Sequence, residues 1–291
     1  MRNLRGLLIF VVATANTVIW FLPIFFLSLV KLLLPLSFIR KAITRWLVLL
    51  GNCWVTANSF IISANNNINW DVRGIDNLSY KNWYLILTNH QTWVDIVVLQ
   101  SIFNGRIPFL KFFIKKELFW IPFLGIAWWA LDMPFMRRYS RSYIAKHPEK
   151  RRIDLVATRR ACEKFRDSPT SVINFVEGTR FSHEKSKSSE SPYKHLLAPK
   201  AGGIALTLSS MGEMFDKIID VTIVYPEGPV SFWDVMCGEL SHVIIDVKKR
   251  TVETWLYEGD YEHDPNFRKN FHNWLLEIWE EKDKNFRKLL E

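Results

Sequence analysis

The stretch NHQTWVD, residues 89 to 95, follows the apolar run WYLIL and gathers an amide, an imidazole, a second amide and a carboxylate into one short segment. Polar side chains beside a buried strand are costly unless they are hydrogen-bonded. His90 and Asp95 are therefore either a polar strand end held by structural hydrogen bonds, or a base and the group that orients it. A carboxylate that fixes the tautomer of an imidazole and stabilises the imidazolium makes the His a competent general base. On spacing alone the structural hydrogen bond is the simpler reading. Geometry discriminates further, because two side chains five residues apart on a regular helix stand about 140° from one another. The pair can meet only if a strand ends near Thr88 and a helix starts inside NHQTWVD, with His90 in the turn and Asp95 about one turn into the helix. His272 and Glu277 share the spacing but sit inside an amphipathic C-terminal segment, so their spacing is read as chance. Trp93 and Val94 are expected to anchor the turn in the core.

Three further segments end apolar runs with groups suited to an anion. In NFVEGTR (174 to 180), Gly178 permits a tight turn or a close backbone approach, and Arg180 offers a planar fork that suits a phosphate. PFMRRYS (134 to 140) adds Arg137 and Arg138, and PKAGG (199 to 203) adds Lys200 before a helix. For Arg137 and Lys200 taken singly, solvated surface charge is the simpler reading. Polar sites at the ends of several apolar segments are what an α/β sheet presents along one edge of its strands.

The elements that must position these residues follow from hydrophobic patterning. WYLILT (83 to 88), SVINFV (171 to 176), IIDVTIVY (218 to 225) and HVIIDV (242 to 247) are rich in Val, Ile and aromatics and read as buried strands. Ile153 to Phe165 reads as an amphipathic helix. Strands alternating with helices imply an α/β fold with a mostly parallel sheet flanked by helices. SHEKSKSSESP (182 to 192) reads as a polar loop. Phe267, Phe271, Trp274, Leu275, Ile278 and Trp279 line one side of a terminal helix that should cover the core.

Composition and the N-terminus point to a bilayer. Of 291 residues 49% are hydrophobic, with 13 Trp and 21 Phe, more than a soluble core requires. Gly6 to Val30 carries no charge and is long enough to cross the hydrocarbon as a helix. Trp46 to Ala64 is also uncharged, but Asn52, Thr56, Asn58, Ser59 and Ser63 would be costly facing lipid. Arg2 and Arg5 precede the first run, and Lys31, Arg40, Lys41 and Arg45 follow it, so both of its ends are basic. This suits an N-terminal hydrophobic helical hairpin dipping into one leaflet, with a single crossing as the alternative. Residues 1–66 are read as a membrane anchor and 67–291 as the catalytic domain. Cys53, Cys162 and Cys237 are odd in number and lack metal-ligand spacing, as expected of reduced, buried thiols, and no metal site is expected.

The net charge of +9 suits anionic lipid or nucleic acid equally. The aromatics sit in apolar runs and are not interleaved with the basic residues of KRRIDLVATRRACEKFR, so nucleic acid is not an expected partner.

An N-H-x-x-x-x-D block, an F-x-x-R block, an E-G-T-R block and a following KAGG, in that order behind a hydrophobic N-terminus, resemble the 1-acylglycerol-3-phosphate O-acyltransferase (PlsC-type glycerolipid acyltransferase) superfamily. The likeness runs from about Trp70 to Tyr225 and is closest to the lysocardiolipin acyltransferase-like branch with its bacterial inner-membrane members. It implies transfer of an acyl chain from acyl-CoA or acyl carrier protein to a lysophospholipid, most readily 1-acyl-sn-glycerol-3-phosphate. Lysophosphatidylglycerol, lysocardiolipin and a catalytically silent scaffold are the alternatives. His90 would be the base on the acceptor hydroxyl and Asp95 its orienter. Arg138, Glu177, Gly178, Thr179, Arg180 and Lys200 would form the acceptor site, with no cofactor beyond the acyl donor. The resemblance places the enzyme at a membrane, facing the cytoplasm where its donors are. One departure is Asp220, which stands where the family often has Pro in a fourth block linked to the acyl side. No nucleophilic Ser in a G-x-S-x-G context is present, so direct transfer is expected, with backbone N–H groups around NHQTWVD or Gly178 as oxyanion donors.

Overall fold

The computed structural model describes residues 1–34, 36–136, 165 and 168–291. Arg137, Arg138, Cys162 and nearly all of the helix expected over 153–165 lie outside the described residues; from that helix only Phe165 is described, and it is buried.

Two long helices open the chain, α1 (Arg2–Leu33) and α2 (Ser37–Asn65). Both are long and apolar enough to cross a membrane. Their cross-helix pairs, Arg5 with Asn65, Asn16 with Asn58 and Thr17 with Trp54, run in opposite chain directions, which makes them an antiparallel hairpin. Of the polar residues that would be costly facing lipid, Asn58 accepts from Asn16 Nδ2 across the hairpin at 2.9 Å, Asn52, Thr56 and Ser59 hydrogen-bond to Tyr80, Asn104 and Ser101 of the body, and Ser63 is exposed. The outer faces keep apolar side chains such as Leu7, Phe26, Phe38 and Phe60 exposed.

The remaining elements are β1 (Asn69–Arg73), β2 (Tyr84–Thr88), α3 (Val94–Phe103), β3 (Leu110–Phe112), β4 (Ile114–Lys115), a 3₁₀ turn (Lys116–Trp120), α4 (Leu124–Ala130), β5 (Phe135–Met136), β6 (Ser171–Phe175), α5 (His183–Ser188), α6 (Ala201–Met211), β7 (Lys217–Val224), α7 (Phe232–Cys237), β8 (His242–Arg250), α8 (Trp255–Glu258) and α9 (Pro265–Leu290). The six-stranded sheet has the order β1-β8-β7-β2-β6-β3. All its pairs are parallel except β7 with β8, so the sheet is mixed but mostly parallel, as expected. Alternation along β2 sends Ile86 to a core shared with α2, α3 and α4, and Leu85 and Leu87 to a core under α6 and α9. The terminal helix covers that second core with Phe271, Leu275, Ile278 and Trp279 buried.

Residues 182–192 are not wholly a loop. Ser182 Oγ accepts from Lys185 N and starts the short α5, because a Ser cap satisfies an otherwise orphaned amide. Cys53 is half-buried and Cys237 buried, both free.

Helix α1 is bound to the body at both ends. Arg2 pairs with Asp234 (2.7 Å) and Glu239, and Lys31 pairs with Asp132 at 2.7 Å. Near the first tie side chains of α7 pack directly on the α1 backbone, since a Cβ on Gly6 would lie 2.7 Å from Cys237 Sγ.

Candidate active site

Strands β2, β6 and β7 are parallel neighbours, with Thr88 level with Phe175 and with Val221. Their carboxyl ends therefore release His90, Glu177 and Tyr225 at one edge of the sheet, the place where α/β sheets bind ligands. The segment 89–93 is a turn, and α3 starts at Val94, so Asp95 lies in its first turn. This strand-to-helix junction brings the imidazole and carboxylate together: His90 Nδ1 donates to Asp95 Oδ2 at 2.7 Å. The same oxygen accepts from Gln91 N (2.6 Å) and Thr92 N (3.0 Å), while Oδ1 accepts from the Tyr225 hydroxyl at 2.8 Å. Asp95 is fully buried, and the His90 side chain keeps 12% of its surface exposed. With Nδ1 held as a donor, Nε2 carries the lone pair that can take a proton. The ring lies against Phe175, with centroids 4.0 Å apart. His272 and Glu277 both lie within α9, in contrast to the turn-and-helix setting of His90 and Asp95.

The second segment folds over the first. Val176 N donates to Thr88 O, and Gly178, at φ +68°, closes a tight turn with its N–H on Phe175 O. That positive φ is the conformation glycine adopts without strain. The Glu177 side chain turns inward and is 1% exposed, with Oε1 accepting from His90 N and Oε2 from Leu197 N, both at 2.8 Å. Burial pushes its carboxyl up to about 8, the two amides pull it down, and the Asp95 charge adds to the rise. Burial, together with the Asp95 charge and hydrogen bond, also raises the Tyr225 phenol well above its ordinary value, so it remains a donor.

The cations gather beside this turn. The Arg180 guanidinium stacks over Trp93, 5.0 Å from the ring centroid. Lys185 Nζ donates to Thr179 Oγ1 and Arg180 O, each at 3.0 Å, and so pins the loop from α5. Lys200 precedes α6, its N–H donates to Val176 O, and its side chain passes within 3.0 Å of where a Cβ on Gly178 would lie. His90, Gly178, Thr179, Arg180 and Lys200 all line one cavity of about 1870 Å³. Apolar side chains line it as well, among them Phe10 of α1, Trp54 of α2, and Leu118, Phe123 and Trp128 before and within α4.

Several expectations change. Trp93 does not anchor the core: it is 46% exposed and serves as the platform under Arg180, while Val94 is buried as expected. Four of the amides expected as oxyanion donors are already engaged, His90 N on Glu177, Gln91 N and Thr92 N on Asp95, and Gly178 N on Phe175. Asp220 does not face the cavity. It points under α9, where it pairs with Lys282 (2.5 Å) and Arg250 (2.8 Å). Tyr225, Leu197 and Lys185 were missed, since each acts through a fold contact and none belongs to a local motif. Among the described residues no cluster of His, Cys, Asp and Glu could hold a metal.

An α/β sheet with a carboxylate-oriented imidazole at its strand ends, beside cations and an apolar cavity, defines an enzyme-like site for an amphipathic anion. Residues 69–226 match the Acyltransferase family, and the chain belongs to that family. It is similar to an Arabidopsis thaliana protein named "Probable 1-acyl-sn-glycerol-3-phosphate acyltransferase 5", 24% identical over 86% of this chain and 66% of that one. It is 26% identical to the human 1-acyl-sn-glycerol-3-phosphate acyltransferase delta, over 58% of this chain and 45% of the human one. The chain thus spans just under two thirds of the first relative and less than half of the second. The crystal structure of the 1-acyl-sn-glycerophosphate acyltransferase PlsC from Thermotoga maritima shares the fold, with a TM-score of 0.51 at 17% identity over 96% of this chain and 98% of that one.

Proposed function

We propose that this chain moves an acyl group from a thioester, acyl-CoA or acyl carrier protein, to the free hydroxyl of a lysophospholipid, with 1-acyl-sn-glycerol-3-phosphate as the first choice of acceptor. The observation that carries the reading is the placement of His90, whose Nδ1 is held by buried Asp95, in one cavity lined both by the cations Arg180 and Lys200 and by apolar side chains. His90 takes the proton of the acceptor hydroxyl as it attacks the thioester carbonyl; the tetrahedral intermediate collapses, expels the thiolate and returns the proton to it. Asp95 holds the tautomer and stabilises the imidazolium. Arg180 and Lys200 bind the acceptor phosphate, Gly178 and Thr179 form the turn that presents them, and Glu177 holds that turn against His90. The apolar wall takes the acyl chains. The reaction draws on no metal or cofactor beyond the acyl donor.

The membrane reading rests on α1. Its two ion-paired ends are about 43 Å apart at 1.5 Å per residue, and both contact the same body, so the helix lies along that body. We place the hairpin in one leaflet, with the body on the cytoplasmic face of a bacterial inner membrane. Single cysteines at Asn3 and Leu34 should both react with an impermeant reagent from the cytoplasmic side; labelling of Leu34→Cys from outside only would replace this with a full crossing.

The enzymatic test is direct. Protein in detergent or nanodiscs, given a labelled acyl thioester, should acylate lysophosphatidic acid, with lysophosphatidylglycerol and lysocardiolipin as comparison acceptors, and His90→Ala should lose at least about 10³-fold in rate. No product from any acceptor, or full product from His90→Ala, overturns the reading.

A further inference from the structure

The end of β7 and the segment that follows it are built around the base. Asn89 Oδ1 accepts from Ile223 N and its Nδ2 donates to Ile223 O, both at 2.9 Å; Gln91 Nε2 donates to Ile223 O at 2.7 Å; and Thr92 Oγ1 donates to Val230 O at 2.7 Å. These contacts fix the backbone on which His90 rides. From this same segment Tyr225 reaches the carboxylate itself, and it takes the oxygen that His90 does not use.

We propose that Tyr225 is a positioning residue for the His90–Asp95 base: its buried hydroxyl locks the Asp95 carboxylate in the plane that meets His90 Nδ1 and tempers the negative charge the imidazolium sees. The proposal rests on the acyltransfer reading above for its kinetic consequence, and on geometry alone for its structural one. His90 Nδ1, Gln91 N and Thr92 N all converge on Oδ2, so without the phenol Oδ1 is a buried acceptor relieved of its donor and the carboxylate is held through Oδ2 alone. Tyr225 is itself 4% exposed, and its ring packs in the core shared with Val94 and Val98, so the hydroxyl is delivered from a rigid side chain. Glu177 is also bonded to this turn, through the backbone N–H of His90 and not through Asp95.

Two opposed perturbations test it. Tyr225→Phe removes the donor and keeps the ring. It should lower kcat by about 10- to 100-fold with the acceptor KM changed by less than about twofold, because binding groups are untouched. A carboxylate relieved of one donor stabilises imidazolium more, so the acid limb of kcat/KM against pH should move up. Fluorinated tyrosines incorporated at position 225 keep shape and fold while strengthening the donor, and should move that limb down in order of phenol acidity. A merely structural tyrosine would give neither the opposed signs nor the graded order, and an unmoved profile in both series overturns the proposal. A second readout is independent of turnover. The low-field proton resonance of His90 Nδ1–H, assigned by its loss in His90→Ala, should shift in Tyr225→Phe and shift oppositely in the fluorinated series. An active wild type with unchanged variants rejects the role of Tyr225; an inactive wild type rejects the acyltransfer reading and leaves the resonance to decide the geometry.

Discussion

Glu177→Gln separates the carboxylate that braces the turn from those that do chemistry, through the pH dependence of stability. Burial holds the Glu177 carboxyl at about 8 in the folded chain against an ordinary value of 4.5. Between those values the folded chain keeps a proton that the unfolded chain has released, so this group makes stability fall as pH rises and contributes no further slope above the folded value. Integrated from pH 5 to pH 8 at about 1.36 kcal/mol per unit, with rounding at both ends, the loss is about 3 kcal/mol. Gln has the shape of the protonated acid and no such slope, although its amide donor faces one of the two backbone N–H groups, from His90 or Leu197, at a pH-independent cost of about 1–3 kcal/mol. The melting temperature of the variant minus that of the wild type should therefore rise by roughly 6–12 °C across the interval, taking about 2–4 °C per kcal/mol. Thermal scans in detergent at matched ionic strength measure it, and the difference cancels groups that titrate alike in both proteins. Parallel curves would refute the assignment of the raised carboxyl to Glu177.

Trp93→Ala removes the platform under Arg180 and should raise the acceptor KM about 3- to 20-fold with kcat nearly constant, read in steady-state assays with a phosphate-bearing acceptor. Gly178→Ala forces a Cβ at φ +68° and toward Lys200, and should cost about 1–2 kcal/mol in denaturant unfolding together with loss of turnover. Asp220→Ala leaves Lys282 buried without its countercharge, an expected loss of about 3–5 kcal/mol that Lys282→Met in the same chain should largely restore.

Legibility from sequence followed the range of the interactions. β2, β6, β7 and β8 were visible because each carries a run of at least three consecutive buried residues rich in aliphatics. β1 and β3 were not, since NWDVR is half-exposed at a sheet edge and LKF is too short to show a period. The His90–Asp95 pair was legible because five residues across a junction are a local problem. The placement of Trp93 was not, because whether an indole at that position faces the core or a guanidinium depends on a loop that arrives from residue 180.

The same reasoning explains why Tyr225, and not Asp220, meets the base. They lie five apart on one strand and its extension, so they point to opposite faces, and the register Thr88↔Val221 decides which face each takes. As built, Tyr225 meets Asp95 in the core shared with Val94 and Val98, while Asp220 meets Lys282 and Arg250 beneath α9. A slip of one residue would turn the carboxylate toward His90 and the phenol away from Asp95. Cores on both faces forbid that slip, because Ile219, Val221 and Ile223 fill one and Ile218 and Val224 the other. The geometry of the base is thus set by aliphatic side chains that never touch it.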